Sequence, residues 1–419
     1  MQTRDQRTLA VLDVDPDIGV CAERHRVTDE HWVELIPGTP RLHGGKLITI
    51  EDRGAARRLC IDGEAITGDD LQLRKVIHVS DDGVLVAASH DPTEMTLVHV
   101  DWDGTEHERS PALEFHGAVV GGSTMVRSVR SMHPTERRST VVSNNEPIGD
   151  LVDLSEIPAM DLNVTFHAVG ERDLATALVL PSGHDGVTQL PVLMDPYGGP
   201  HAQRVQRVAG LFSASQWFAD QGFAVVVTDG RGTPGRGPAF ERAVRGDLAA
   251  PVLDDQVDAL HAMAAEHPFL DLSRVAIKGW SFGGYLAALA VLRRPDVFQA
   301  AIAGAPVTDW RLYDTHYTER YLGNPNDEPA NYERTDLCAD AAALGDRELP
   351  PLLLIHGLAD DNVVAAHTLQ LSRALLEAGK PHTVLPLSGV THMTPQEEVA
   401  ENLLLVQSAF LRKALGIDT

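Results

Sequence analysis

The tightest constraint on the fold of this chain is a glycine-flanked serine turn, GWSFG, at residues 279–283. An apolar run at residues 275–277 precedes the turn, and an alanine- and leucine-rich stretch at residues 285–292 follows it. The pattern G-x-S-x-G alone is weak, but a strand before it and a helix after it make it a nucleophile elbow. The segment therefore predicts a sheet covered by helices, with a reactive serine, Ser281, at the end of a buried strand.

The rest of the second half agrees with that prediction, because strand and helix patterns alternate from about residue 172 onward. Apolar runs typical of buried strands occur at residues 190–194, 223–228, 300–303 and 352–355. The run at 223–228 is also β-branched, which is typical of a strand inside a parallel sheet. Helical patterns occur at residues 212–220, 254–265 and 403–415. This alternation predicts an α/β hydrolase domain, a doubly wound and mostly parallel sheet, over residues 161–419.

The first half has a different pattern, with short strands separated by glycine, aspartate and proline turns. The clearest strands are at residues 8–14, 47–50, 59–61, 84–88 and 95–100. Strand–turn–strand units without a long helical pattern predict an all-β region of antiparallel sheet over residues 1–160. Blades, a barrel and a sandwich all fit this pattern.

Charge and cysteine content restrict the partners and the compartment. The net charge of −25 repels phosphate backbones and anionic lipids, so we expect no nucleic-acid binding and no membrane binding. Cys21, Cys60 and Cys338 are widely spaced, which disfavours a disulfide framework or a cysteine-built zinc site and favours a reducing compartment. With a polar start that lacks a signal-peptide pattern, the chain is predicted to be cytoplasmic.

A serine hydroxyl needs a base to remove its proton and an acid to orient that base. In the α/β-hydrolase arrangement the acid follows the serine in sequence, and the histidine follows the acid. Asp360 lies just after the apolar run at residues 352–355, and His392 lies in the loop after an apolar run at residues 384–387. Order and loop placement therefore predict Asp360 as the acid and His392 as the base.

Alternatives remain at both positions. Asp361 is the main rival of Asp360, because spacing cannot separate adjacent residues. His356, His367 and His382 are weaker candidates for the base, and His356, at the end of a strand, is also typical of a buried structural histidine.

The oxygen that becomes negatively charged in acyl transfer needs hydrogen-bond donors placed in advance. One predicted donor is the backbone N–H of Phe282, next to the serine. The other is expected from the loop at residues 195–200, DPYGGP, whose glycines permit close approach. Tyr197 in this loop is either a phenol donor or an ordinary loop residue.

Several longer motifs resemble the catalytic domain of the prolyl oligopeptidase family, most closely its dipeptidyl peptidase IV branch. They are YGGP at 197–200, DGRG at 229–232, GWSFGGY at 279–285, WRLYDTHYTERYLG at 310–323 and HGLADDNV at 356–363. The resemblance spans residues 165–419. It implies a serine peptidase that acts on short peptides through an acyl-enzyme, without metal or cofactor, and that removes dipeptides from amino termini, often after proline.

By the same resemblance, Ser281 is the nucleophile, Asp360 rather than Asp361 is the acid, and His392 is the base. Tyr197 becomes the second oxyanion donor, and Asn362 binds the carbonyl group of the preceding substrate residue. The implied pocket for the residue before the cut consists of Phe282, Val307, Trp310, Tyr313, Tyr317 and Val363, with Arg320 ordering it. Phe282 and Leu312 depart from the family pattern, where tyrosine and a second aromatic residue are common.

The resemblance also implies a β-propeller before the hydrolase domain, carrying a pair of glutamates that binds the amino group of the substrate. At about 40–50 residues per blade, residues 1–160 suffice for three or four blades. The one adjacent glutamate pair in the chain is Glu397-Glu398, in the hydrolase half. We therefore expect an incomplete propeller without this anchor.

Three functions remain open at this point. The leading hypothesis is a dipeptidyl-peptidase-IV-like enzyme that prefers proline or alanine before the cut. A related aminopeptidase, endopeptidase or esterase of looser specificity is the second. The third is a truncated or split chain that serves mainly as an interaction module. In that context we expect a homodimer or a partner that supplies the missing part of the propeller.

Overall fold

The computed structural model describes residues 1–144 and 146–417 of the chain. These residues form two compact units. The first, called the β unit, consists of Met1–Met160 with two short later segments, Gln206–Leu211 and Pro234–Arg242. The second, called the α/β unit, consists of Asp161–Val205, Phe212–Thr233 and the described part of Ala243–Thr419.

The β unit contains a hairpin, β1 (Thr8–Val14) with β2 (Cys21–Thr28), and three antiparallel sheets of four strands each. The sheets comprise β3 (Arg41–His43), β4 (Lys46–Arg53), β5 (Ala56–Ile61) and β6 (Glu64–Ala65); β7 (Gln72–Val79), β8 (Gly83–Ser89), β9 (Thr96–Asp101) and β10 (Glu106–Glu108); and β11 (Phe115–Gly121), β12 (Thr124–Arg130), β13 (Arg138–Ser143) and β14 (Glu146–Leu151). Each sheet is a meander in which sequence neighbours pair, which is the strand order of a propeller blade. The expected partial propeller is therefore confirmed.

Alternating apolar side chains from these strands supply the core of the β unit. Ile48, Leu59, Leu73, Val86 and Val98 belong to one cluster of buried residues. The segment Pro234–Arg242 is attached to this unit through charge as well as packing. The guanidinium of Arg57 donates to both carboxylate oxygens of Glu241, at 3.0 and 2.7 Å, in a buried two-point ion pair.

The α/β unit is built on a sheet of eight strands in the order β15-β16-β18-β17-β19-β20-β21-β22. The first two strands are antiparallel to their neighbours, and the remaining pairs are parallel. The strands are β15 (Val164–Val169), β16 (Leu174–Val179), β17 (Leu190–Met194), β18 (Ala224–Asp229), β19 (Leu270–Trp280), β20 (Ala300–Gly304), β21 (Leu352–Gly357) and β22 (Thr383–Leu387). The predicted fold, doubly wound and mostly parallel, is confirmed.

The helices follow in chain order. They are α1 (Ser213–Asp220), α2 (Pro238–Arg242), α3 (Ala250–Glu266), α4 (Phe282–Arg293), α5 (Thr315–Leu322), α6 (Pro329–Glu333), α7 (Leu337–Ala342), α8 (Ala366–Glu377) and α9 (Glu397–Ala414), with short 3-10 helices at Pro134–Glu136, Ala209–Leu211 and Trp310–Leu312. In the described part of the chain, none of these helices is long and apolar enough to cross a membrane.

Several boundaries differ from the sequence expectation. The strand expected at 275–277 is longer at both ends, as β19, and the last helix begins at Glu397 instead of residue 403. Polar residues at strand and helix ends weaken the apolar periodicity, although backbone hydrogen bonds continue through them. The interval between Asp360 and His392 is long enough for one helix and one strand, and the structure places α8 and β22 there.

Candidate active site

Ser281 occupies a strained turn between β19 and α4. Its φ of 59° and ψ of −116° are unusual for a residue with a side chain, and such strain costs about 1–3 kcal/mol. The surrounding fold holds it, because the Ser281 N–H donates to the carbonyl oxygen of Gly304 at 2.9 Å. A Cβ at Gly279 would overlap the backbone of Gly283, so the turn requires glycine there. The elbow predicted from the sequence is thus present in the backbone.

Asp360 lies in the loop after β21, with its carboxylate fully buried. One oxygen accepts from the backbone N–H groups of Asn362 and Val363, at 3.0 and 2.9 Å. The other oxygen is 2.7 Å from Nδ1 of His392. The neighbouring Asp361 is exposed to solvent. The structure therefore brings the carboxylate of Asp360, and not that of Asp361, against the imidazole.

His392 lies in the loop between β22 and α9, with 16% of its side chain exposed. Because Nδ1 donates to Asp360, Nε2 is left as the proton acceptor of the neutral ring. The indole N–H of Trp280 donates to the carbonyl oxygen of His392 at 2.8 Å, which ties the histidine loop to the elbow. Among residues 1–144 and 146–417, no hydrogen bond joins the Ser281 hydroxyl to this ring. Such bonds commonly tighten only when substrate binds.

The competing histidines are engaged elsewhere. Both ring nitrogens of His356 lie 2.7 Å from partners, Thr368 Oγ1 and the carbonyl oxygen of Val363. His367 is fully buried, and burial lowers its pKa to about 4, which keeps the ring neutral. His382 contacts a serine hydroxyl and a backbone carbonyl oxygen. These bonds are typical of histidines that stabilise loops.

Tyr197 and Phe282 face each other beside the elbow, with ring centroids 5.8 Å apart. Burial, and secondarily the neighbouring Tyr313, raises the pKa of Tyr197 to about 12, so its hydroxyl stays a donor at neutral pH. A Cβ at Gly199 would overlap the Phe282 ring, which explains why the loop after β17 needs glycine there. Phe282 is the first residue of α4, where backbone N–H groups have no intrahelical acceptor.

An aromatic cluster lies next to the elbow. The rings of Trp310 and Tyr317 stack at 5.9 Å, and Tyr313 meets both edge-on at 5.8 and 5.3 Å. Aspartates cap the two short helices that carry these rings: Asp309 accepts from the N–H of Arg311, and Asp314 from the N–H of Tyr317. The local sequence therefore sets the cluster in place.

Apolar and amide groups complete the predicted pocket. Val307 and Val363 are buried, at 2% and 0% exposure. Asn362 is exposed, and its amide oxygen accepts a 3.3 Å hydrogen bond from the Tyr313 hydroxyl. Arg320, which was expected to order the pocket, is buried on α5.

Sequence reasoning missed two supports of this cluster, His201 and Tyr321. The His201 ring lies 5.0 Å from the Tyr317 ring, and its Nε2 is 2.8 Å from the Tyr321 hydroxyl. A weak signal existed, because Tyr321 follows Tyr317 by four residues on the same helix face. His201 directly follows the YGGP loop, but nothing local shows that it meets α5.

The described residues also bring three side chains with metal-binding groups together, those of His167, Glu266 and His267. These residues lie on β15 and at the end of α3, apart from the site residues above.

The sequence of this chain matches a known protein family and several of its members. Residues 210–418 match the model of the prolyl oligopeptidase family. Dipeptidyl peptidase 8 of Mus musculus is 40% identical over 231 residues, which are 54% of this chain and 25% of that protein. Dipeptidyl peptidase 4 of Felis catus is 29% identical over 290 residues, 69% of this chain and 37% of that protein. The chain thus spans less than two fifths of the length of these relatives.

A solved structure resembles this chain in fold over both units. The crystal structure of Porphyromonas gingivalis dipeptidyl peptidase 4 superposes with a TM-score of 0.89 at 24% identity. The match covers 98% of this chain and 61% of that one. At this identity the likeness establishes the fold.

Proposed function

Residues 210–418 are a domain of the prolyl oligopeptidase family, and we propose that this chain is a serine peptidase that releases dipeptides from the amino termini of short peptides. The observation that carries the proposal is the 2.7 Å contact between the buried carboxylate of Asp360 and Nδ1 of His392. A hydrogen bond from the indole of Trp280 to the His392 carbonyl oxygen connects this pair to the turn that holds Ser281.

In the proposed reaction the Ser281 hydroxyl attacks the carbonyl carbon of the scissile peptide bond. Its proton passes to Nε2 of His392, and the tetrahedral intermediate collapses as this proton moves to the departing amine. An ester then links the substrate's acyl group to Ser281. Water loses a proton to His392 and cleaves that ester, which restores the serine. Asp360 holds the imidazole in the required tautomer and stabilises its cationic form.

Two donors would stabilise the negative oxygen of the tetrahedral intermediate. These are the N–H of Phe282, at the start of α4, and the hydroxyl of Tyr197. The N-terminal end of a helix adds a positive partial charge in the same direction. A donor of this kind commonly contributes 10²–10³-fold to kcat.

The aromatic cluster supports a preference for proline or alanine before the cut. Trp310 and Tyr317 are stacked, Tyr313 meets both rings edge-on, and Val307 and Val363 are rigid β-branched residues. Such walls suit a compact ring and leave little room for a long side chain. Because the oxygen of Asn362 accepts from Tyr313, the amide nitrogen is the group available to a substrate carbonyl.

Active-site labelling tests the reaction class. A fluorophosphonate probe is expected to label the purified chain with one equivalent and to label Ser281→Ala not at all. Ser273→Ala, which changes an exposed serine on β19, serves as the matched control and is expected to label like the wild type. Labelling that survives Ser281→Ala would refute the assignment of the nucleophile.

Substrate comparison separates the leading function from the second candidate, a looser aminopeptidase, endopeptidase or esterase. The observation that favours the second candidate is that Glu397-Glu398, on α9, is the one adjacent glutamate pair in the chain. A dipeptidyl peptidase is expected to cleave Ala-Pro-p-nitroanilide and to reject its acetylated form. Equal cleavage of both, or faster cleavage of p-nitrophenyl butyrate, would favour the looser hydrolase.

We extend the proposal to assembly, either with a second copy of this chain or with a chain that supplies further blades. The β1–β2 hairpin has two strands where the other described sheets of the β unit have four, so it presents strand edges that could pair. Light scattering at several concentrations tests this. An active monomer at all concentrations would contradict it.

A further inference from the structure

Three side chains with metal-binding groups converge at one edge of the α/β unit. His167 lies on β15, the edge strand of the sheet, while Glu266 is the last residue of α3 and His267 follows it. One ligand atom from each residue lies within 4.8 Å of the others. Two imidazoles and one carboxylate form a donor set that zinc commonly takes.

The spacing is close to what a metal ion requires. Nδ1 of His167 is 3.9 Å from Oε2 of Glu266. Two ligands at about 2.0–2.1 Å from a tetrahedral zinc ion stand about 3.4 Å apart, so this pair would close by about half an ångström. The other pairs, which lie within 4.8 Å, would close by about 1.4 Å at most. The two imidazole rings meet edge-on, with centroids 5.2 Å apart and an interplanar angle of 83°.

The ring of His167 has the hydrogen-bond pattern of a metal-binding histidine. Nε2 of His167 is 2.8 Å from the Thr165 hydroxyl, which leaves Nδ1 on the side of Glu266. Such an outer partner fixes the orientation of a ligating imidazole. Nε2 of His267 is buried, and no other described residue hydrogen-bonds to it. This unpartnered atom is the second observation that points to a ligand.

The overall charge of the chain is compatible with a bound cation. The net charge of −25 favours the approach of a cation.

We propose that His167, Glu266 and His267 bind a divalent transition-metal ion, best matched by Zn²⁺, with water in the remaining position. The ion would join the edge strand β15 to the end of α3 and so stabilise this edge of the sheet. This site is separate from the proposed catalytic residues and does not depend on their roles.

Calorimetric titration of the EDTA-treated full-length chain with ZnCl₂ tests the proposal. We expect one strong site in the wild type, with a rise in Tm on zinc addition. Glu266→Gln, a change at an exposed carboxylate, and His267→Gln are each expected to weaken binding by roughly tenfold or more. His261→Gln, which alters an exposed histidine on the same helix, is expected to bind zinc like the wild type.

Cobalt spectroscopy supplies a second measurement on the unaltered chain. Tetrahedral Co²⁺ absorbs strongly in the visible range, and we expect this band in the wild type and its loss in Glu266→Gln. Equal zinc affinity in the wild type, Glu266→Gln and His267→Gln would overturn the proposal, as would no binding by the wild type. If His267→Gln fails to fold, Glu266→Gln alone decides. Both readouts can be repeated in Ser281→Ala, so they are independent of peptidase activity.

Discussion

The indole N–H of Trp280 donates a 2.8 Å hydrogen bond to the carbonyl oxygen of His392. Trp280 immediately precedes Ser281, and its ring fills the space left by the missing side chain of Gly304. One side chain therefore fixes the backbone of the histidine loop relative to the nucleophile turn. We infer that Trp280 is a positioning residue, which acts on the reaction through His392.

Trp280→Phe keeps an aromatic ring and removes this donor. A hydrogen bond contributes about 1 kcal/mol, so we expect kcat to fall roughly fivefold with KM nearly unchanged. Steady-state kinetics on Ala-Pro-p-nitroanilide measure both constants, and Trp217→Phe, on α1, is the control for loss of an indole elsewhere. An unchanged kcat, or a loss confined to KM, would contradict the positioning role.

Asp360→Asn and its neighbour Asp361→Asn form a matched pair. The first change removes the carboxylate that holds His392 in the required tautomer, and we expect kcat to fall by roughly 10⁴-fold, the loss typical of this substitution in a Ser-His-Asp triad. The second alters a carboxylate that faces solvent and not His392, and it is expected to leave kcat within twofold. Similar losses in both variants would be evidence against the assignment of Asp360.

Tyr197→Phe tests the side-chain donor to the oxyanion. We expect kcat to fall by about 10²–10³-fold while labelling of Ser281 by a fluorophosphonate persists at a lower rate. Because the pKa of Tyr197 is raised to about 12, its hydroxyl stays almost fully protonated up to pH 10. The activity of the wild type is therefore expected to show no loss from Tyr197 ionisation as the pH rises to 10. A pH–rate profile checks this, and a decline near pH 10 that Tyr197→Phe abolishes would contradict it.

The raised pKa of Asp229, at the end of β18, predicts that the stability of the folded chain depends on pH. Burial raises its pKa from 3.8 to about 6, against the opposing effect of the N–H groups of Arg204 and Val205. At a pH between 3.8 and about 6, the carboxyl group of Asp229 is therefore mostly protonated in the folded state and mostly ionised in the unfolded state. The contribution of Asp229 to stability is therefore largest below pH 4 and is lost as the pH rises through 6.

Asp229→Asn lacks this titration, while its amide oxygen can still accept both N–H groups. We expect the free energy of unfolding of the wild type, relative to Asp229→Asn, to fall by up to about 3 kcal/mol between pH 4 and pH 7. Urea unfolding of both proteins across this range measures the difference. A difference that stays constant with pH would exclude this linkage.

Local sequence patterns were sufficient to predict the architecture. The apolar runs at β18 and β21 are buried throughout, so their strand character is visible without any partner. The elbow is in part a local device, since a Cβ at Gly279 would overlap the backbone of Gly283, four residues on. At Gly283 the demand is tertiary, because a Cβ there would overlap the carbonyl oxygen of Pro196, in the loop after β17. Helix limits were less accurate, because α9 begins with exposed polar residues that carry no apolar periodicity.

Contacts between distant segments were not predictable in this way. The link from Trp280 to His392, the contact of His201 with Tyr317, and the meeting of His167 with Glu266 each join residues from different loops or elements. Their distances depend on how strands align and how helices pack across the sheet, and no local propensity encodes those distances.

The sequence by itself determined the two structural classes, the nucleophile turn and the family of its catalytic domain, because each rests on short-range sterics or on contiguous motifs. Spacing left two adjacent aspartates open and the resemblance favoured Asp360, but only the tertiary structure shows which carboxylate contacts the histidine and which other histidines make structural hydrogen bonds. Asp360 and Asp361 are equivalent by spacing, but the backbone N–H groups of Asn362 and Val363 turn one carboxylate inward, and the other faces solvent. That choice is made by the loop geometry at the end of β21 and by the burial it imposes.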